Sequence, residues 1–208
     1  MSNLSKTLTM SATALLMTAA AANAAETEAP IIERPDFHSA TGIFDIDALE
    51  ALGRVSEPKV SPDGKQVLYG ISYESVPQNK SNRELWVMNL DGSAQTRITT
   101  TPKSENSAVW IDGGRRIAFL YPDADGNPQL WAMNADGSAR VQISQHEGGI
   151  AGFLFSPDQS KVVMIGSVKY ARTAADIYPD LPQATGRVLD DLMYKHWDEW
   201  VTEIPHPF

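Results

Sequence analysis

From Val55 onward, short runs of strand-forming residues alternate with turn residues at a regular beat. The runs Gln66–Tyr73, Arg116–Tyr121 and Val162–Val168 each follow a turn: Val60-Ser-Pro-Asp-Gly-Lys65, Trp110-Ile-Asp-Gly-Gly114 and Phe155-Ser-Pro-Asp-Gln-Ser-Lys161. A second signature recurs almost verbatim. Trp86-Val-Met-Asn-Leu-Asp-Gly-Ser-Ala-Gln-Thr-Arg-Ile-Thr99 returns as Trp131-Ala-Met-Asn-Ala-Asp-Gly-Ser-Ala-Arg-Val-Gln-Ile-Ser144, an offset of 45 positions (86 to 131). In each copy two strands flank an Asp-Gly turn, where glycine supplies the positive φ that a tight hairpin needs. Four-stranded units at a spacing of ~40–50 residues predict β-propeller blades. An immunoglobulin-like sandwich also has short strands and regular turns, but it does not predict a copied hairpin.

The expected fold class is therefore all-β, the N-terminal part of a propeller of about two and a half blades. The first blade spans 55–99 and the second 105–144. A third begins near 149 and shows two strands by Val168. Closed propellers have ~4–8 blades, so the reading expects these residues to be the start of a longer protein. Two segments stand outside the beat. At 43–55, Asp45 is placed to cap a short helix whose Ala48, Leu49 and Leu52 share a face and which Gly53 stops. From Gly186 to Glu203, Met193, Trp197, Trp200, Val201 and Ile204 fall on one helical stripe, which predicts a helical insertion in the third blade. The division is 1–24 leader, 25–54 strap and latch helix, 55–169 blades, and 170–208 helical insertion with the start of the next propeller strand.

Composition narrows the partners. Of 208 residues, 17 are Lys or Arg and 26 Asp or Glu, a net charge of −9. An acidic chain repels phosphate backbones, which argues against nucleic acid. The absence of cysteine excludes disulfides, thiolate nucleophiles and thiolate zinc sites. Lys6, the apolar stretch Leu8–Ala22 and the small-residue motif Ala22-Asn23-Ala24 predict a cleaved secretory signal. The mature chain is then expected in a periplasm or outside the cell, with no membrane span.

The run FDIDALEALGRVSEPKVSPDGKQVLYGIS, the repeated hairpins and DDLMYKHWDEWVTEIPHPF at 190–208 resemble the propeller start of prolyl oligopeptidase family serine peptidases. Within that family the likeness is to bacterial dipeptidyl-peptidase V and acylaminoacyl-peptidase-like enzymes. It covers Phe44 to Phe208. The Ser-Pro-Asp-Gly and Asp-Gly-Ser turns alone are shared with Tol-Pal propellers, which bind protein partners without catalysis, and the KHWDEW segment is more specific. The resemblance implies peptide substrates, no cofactor, and a C-terminal α/β-hydrolase domain in the same parent chain. It also admits a homodimer of the full-length enzyme. The hydrolase would carry its serine in a Gly-x-Ser-x-Gly elbow. No such pattern occurs in these residues, so no catalytic residue is assigned.

Three other candidates were weighed. Asp123-Ala-Asp-Gly-Asn127 has a glycine two places early for a calcium loop, and it reads as a hairpin turn. Trp86 and Trp131 occupy one repeat position, which marks packing rather than ligand stacking. Asp198 and Glu199 are the substrate-binding candidates. They are either solvated charges on the insertion or, as the resemblance implies, carboxylates that hold a substrate's α-ammonium.

Overall fold

The computed structural model describes residues 31–39, 42–189 and 195–208. The expected leader at 1–24 lies outside the described residues, as does Met193 of the expected helical stripe. A short helix α1 (Ile46–Glu50) leads in, with the Asp45 carboxylate accepting the Ala48 N–H at 2.9 Å. This satisfies an amide that the first helical turn leaves open. The latch is lighter than its sequence suggests. Ala48 is buried, while Leu49 and Leu52 are 44% and 51% exposed.

Blade one is an antiparallel sheet in the order β1 (Arg54–Val60), β2 (Gln66–Ser75), β3 (Lys80–Asn89), β4 (Thr96–Arg97). Blade two repeats it with β5 (Asn106–Ile111), β6 (Arg116–Pro122), β7 (Pro128–Asn134) and β8 (Val141–Gln142). The copied turns fold alike. Asp91 and Asp136 each accept the N–H of the serine two residues on, at 2.9 Å in both hairpins. In the other turn type, Ser61 and Ser156 hydroxyls donate to Asp63 and Asp158, both at 2.6 Å.

Strand β6 shows how period-2 alternation builds two cores from one strand. Ile117, Phe119 and Tyr121 face blade one, where they join Leu68, Leu85, Val87, Ala108, Trp110 and Met133. Ala118 and Leu120 point the other way and pack with Ile111, Leu130, Ala132 and Ile150, against Phe153, Phe155, Val162 and Met164. Trp131 is half-buried against the first cluster and donates its ring N–H to the Tyr121 carbonyl at 3.0 Å.

Blade three consists of β9 (Ile150–Phe155) and β10 (Val162–Lys169). After it come a one-turn helix α2 (Ala174–Ile177) and a two-stranded hairpin, β11 (Lys195–His196) with β12 (Glu199–Trp200). The chain then returns as β13 (Glu203–Pro207), which pairs antiparallel with β10 from Lys169↔Glu203 to Ile165↔Pro207. This corrects the expected helix at 186–203, whose described C-terminal half is a hairpin followed by a strand. Two physical causes are evident. The free edge of β10 takes 203–207 as an extended partner, and Pro205 and Pro207 are compatible with an edge strand but not with a helix interior. Trp197, at the hairpin turn, has a left-handed φ of 56°, so no helix runs through it. Among the described residues the apolar stripe does not form, and Trp197 is 89% exposed.

Candidate functional site

Antiparallel order sorts the connections onto two faces. Turns joining β1 to β2 and β3 to β4 lie at one end of each blade; connections from β2 to β3 and from β4 to the next blade lie at the other. The first face carries the copied Ser-Pro-Asp and Asp-Gly-Ser turns. On the second face the β2–β3 link is 76–79 and the β6–β7 link is 123–127, whereas the equivalent link in blade three runs from 170 to 202. The link that breaks the repeat thus leaves β10 and enters β13 at the end opposite the repeated turns.

Local chemistry holds this insertion together. Thr173 caps α2, its hydroxyl and backbone N–H both donating to Asp176, while Lys169 pairs with the same carboxylate. These bonds hold the Asp176 carboxyl well below the usual range, the Lys169 bond contributing most. Thr173 bridges to Arg187, whose guanidinium lies 4.7 Å from the Trp200 ring centroid; Lys195 Nζ is 5.5 Å from the same ring. Thr173, Arg187 and Trp200 border a cavity of about 280 Å³, lined also by Arg172, Val188 and Thr202.

The candidate Asp198 sits beside Trp197 in the hairpin turn, exposed to solvent. The Glu199 backbone pairs with His196, and the Glu199 side chain lies outside the described residues. Neither residue lies on a helix, so the projection from helical faces that the sequence suggests is replaced by projection from a hairpin. A carboxylate in open water contributes little to holding an ammonium. Asp198 could anchor one only beneath a covering surface.

The Asp123 loop is a hairpin connection between β6 and β7. One carboxylate oxygen accepts the N–H groups of Asp125 and Asn127, and the other accepts from Gln129. Among the described residues no group of three or more His, Asp or Glu could hold a metal, and no helix is long and apolar enough to cross a membrane.

Sequence reasoning passed over a polar cluster in the seam between blades one and two. Glu84 on β3 and Glu105 just before β5 are 2% and 0% exposed. Glu84 accepts from the Asn82 amide and the Thr101 N–H, both at 2.9 Å, and lies 3.1 Å from Arg97. Glu105 pairs with Arg140, whose guanidinium rests 3.8 Å from the Tyr121 ring centroid. A signal was available in the repeat. Glu84 and Gln129 occupy one position, as do Thr99 and Ser144, and all four are buried.

The profile of the TolB beta propeller domain matches residues 47–191. Over 157 residues the chain is 53% identical to Dipeptidyl-peptidase 5 of Porphyromonas gingivalis, covering 76% of this chain and 23% of that protein. The protein of the same name from Porphyromonas endodontalis is 38% identical over 162 residues, covering 78% and 23%. The chain thus spans about a quarter of the length of these curated relatives. Among solved structures, Pyrococcus horikoshii acylaminoacyl peptidase in its orthorhombic form superposes with a TM-score of 0.54 at 12% identity, covering 75% of this chain and 26% of that one. An acylaminoacyl peptidase in complex with Z-Gly-Gly-Phe-chloromethyl ketone gives 0.51 at 15% identity, covering 62% and 20%. At such identities these two show the propeller fold alone.

Proposed function

We propose that this chain, which belongs to the TolB β-propeller domain family, is the N-terminal propeller portion of a secreted serine exopeptidase that releases dipeptides from peptide N-termini. The observation that carries the reading is the sequence identity to the two Porphyromonas dipeptidyl-peptidases, over 157 and 162 residues. The propeller's task in this reading is to wall off a C-terminal α/β-hydrolase domain, admit peptides of limited size, and fix the substrate's free amine. The second face suits that task because it carries the long insertion. A hydrolase domain seated there would cover Asp198 and give its charge the desolvated surroundings that an ammonium anchor requires.

The test is to express the whole reading frame that contains these residues. The product is then offered dipeptidyl amides with a free amine, the same amides N-acylated, and a serine-reactive probe. Release of dipeptides from the free-amine series, together with probe labelling, is the expected result. A stable, unlabelled protein that cleaves nothing would overturn the proposal in favour of a propeller that binds a protein partner in the periplasm.

A further inference from the structure

In the seam between blades one and two, two acceptor oxygens compete for the single hydrogen of the Thr101 hydroxyl. Glu105 Oε2 accepts from the Thr99 hydroxyl at 3.0 Å, and that hydroxyl itself accepts the Leu85 N–H at 2.8 Å, so this side is complete. Glu105 Oε1 accepts from Arg140 Nη1 at 3.0 Å and lies 2.7 Å from Thr101 Oγ1. Thr101 Oγ1 is also 2.7 Å from the Lys103 carbonyl oxygen. A hydroxyl has one hydrogen, and a carbonyl can only accept. If Thr101 gives its hydrogen to Lys103, the contact with Glu105 joins two oxygens with nothing between them. If it gives the hydrogen to Glu105, the Lys103 contact is left bare. One more proton completes the network.

We propose that Glu105 is a built proton-binding site: its carboxyl holds a proton and donates it to Thr101 Oγ1, and loss of that proton as the pH rises loosens the connector 99–105 from the blade seam. The surroundings agree. Burial and the nearby Glu84 charge push the Glu105 carboxyl up to about 7, against the lowering influence of Thr101, Arg140 and Thr99.

The other charged groups of the seam are accounted for. Arg140 reaches in from the β7–β8 turn, and one of its nitrogens, Nη2, is buried without a partner. From β3, Arg83 donates to the Glu105 backbone carbonyl and, through Nη2, to Glu57 of β1 at 2.9 Å. Arg97 of β4 is held by Glu84 and by Glu33 of the strap. Lys103, in the same connector, donates to the Asp123 carbonyl at 3.4 Å. Tyr121 lies beneath Arg140. The arginines keep their charge throughout the range that matters.

The sign follows from linkage. The folded carboxyl binds its proton more tightly than an ordinary glutamate, so the seam is strongest below pH ~4.5 and weakens as the pH rises to about 7. The opening equilibrium of the connector should then rise by up to ~10-fold per pH unit inside that window. This inference stands independently of the peptidase reading.

Hydrogen exchange of the full chain, corrected for the intrinsic effect of pH, should show amides at 99–105 opening more as the pH rises from 5 to 7, while the 89–95 turn keeps its rate. In Glu105→Gln, whose amide donates at every pH, the connector should lose that dependence. Infrared difference spectra should contain a carboxylic-acid C=O band that titrates near neutrality and is missing from the variant. No protonated carboxyl at pH 5–6 beyond those of ordinary acids, or an unchanged pH dependence in Glu105→Gln, would overturn the proposal. If the variant does not fold, the infrared titration of the unmodified chain decides alone.

Discussion

The copied hairpins provide a matched pair for measuring what a blade seam demands of a turn. Gly92 and Gly137 occupy the same repeat position, with φ of 85° and 88°. Their turns close alike: Asn89 and Asn134 donate backbone N–H groups to Ser93 and Ser138 carbonyls at 2.9 and 2.8 Å. Only the surroundings differ. A Cβ added at Gly92 meets nothing within 4 Å, whereas one at Gly137 falls 2.1 Å from the Ile98 carbonyl oxygen and 3.1 Å from its carbon. Ile98 is not free to yield, because its N–H is bonded to Leu85 at 2.9 Å and Thr99 follows as a buried hydrogen-bonding residue.

Alanine in a left-handed conformation costs ~1–2 kcal/mol whatever the space. Forcing a methyl into filled volume adds typically ~1–3 kcal/mol. Gly92→Ala should therefore lose only the first amount and Gly137→Ala the sum, ~2–5 kcal/mol. For a chain of this size each kcal/mol lowers the melting temperature by ~2–4 °C. Urea and thermal unfolding of the two variants, followed by tryptophan fluorescence, give the comparison directly. Equal losses would refute the reasoning, because they would mean that the turn of blade two does not press on blade one.

Further outcomes follow from the same structure. Gln129→Glu should destabilise the chain by ~1–3 kcal/mol at pH 7, since the side chain that now donates to Asp123 and the His146 carbonyl would face both as an acceptor; the loss should shrink as the pH falls toward ~4 and Glu protonates, and urea titration at both pH values checks it. If the whole protein is the proposed peptidase, Asp198→Asn or Glu199→Gln in it should lower kcat/KM for free-amine dipeptidyl substrates ~10–100-fold, as expected for a charge-assisted bond of ~1.5–3 kcal/mol, and leave N-acylated substrates nearly unchanged; equal losses on both would mark a folding defect instead. The 208 residues alone should take no serine-reactive label above a denatured control, because no Gly-x-Ser-x-Gly occurs in them.

What could be read from the residues was what local chemistry decides. The Asp-Gly-Ser and Ser-Pro-Asp turns close on their own side chains, so their spacing gives the blades directly, and Asp45 caps α1 for the same local reason. The insertion was misread because its outcome depends on a distant partner. Nothing between Gly186 and Glu203 reveals that β10 offers a free edge at Ile165–Lys169, and pairing with that edge overrides the helical spacing of Trp197, Trp200 and Ile204. Glu105 escaped notice because a glutamate in a connector looks solvated until a second blade covers it. Glu84 was better signposted, since a polar residue recurs before Leu-Trp in both copies and Gln129 is buried in the second.

The two faces of the blades differ in a way that bears on where function resides. On the first face the Ser-Pro-Asp and Asp-Gly-Ser turns are near copies, each closed by its own aspartate and serine. The second face is varied: a 3₁₀ turn at 76–78, the Asp123 hairpin, and the insertion with its exposed Trp197 and Asp198. The connector 99–105, with the Glu105 carboxyl beneath it, opens on that same face. A repeat fold keeps its cores and turns constant by packing necessity, so the side on which the links depart from the repeat is the side free to acquire chemistry.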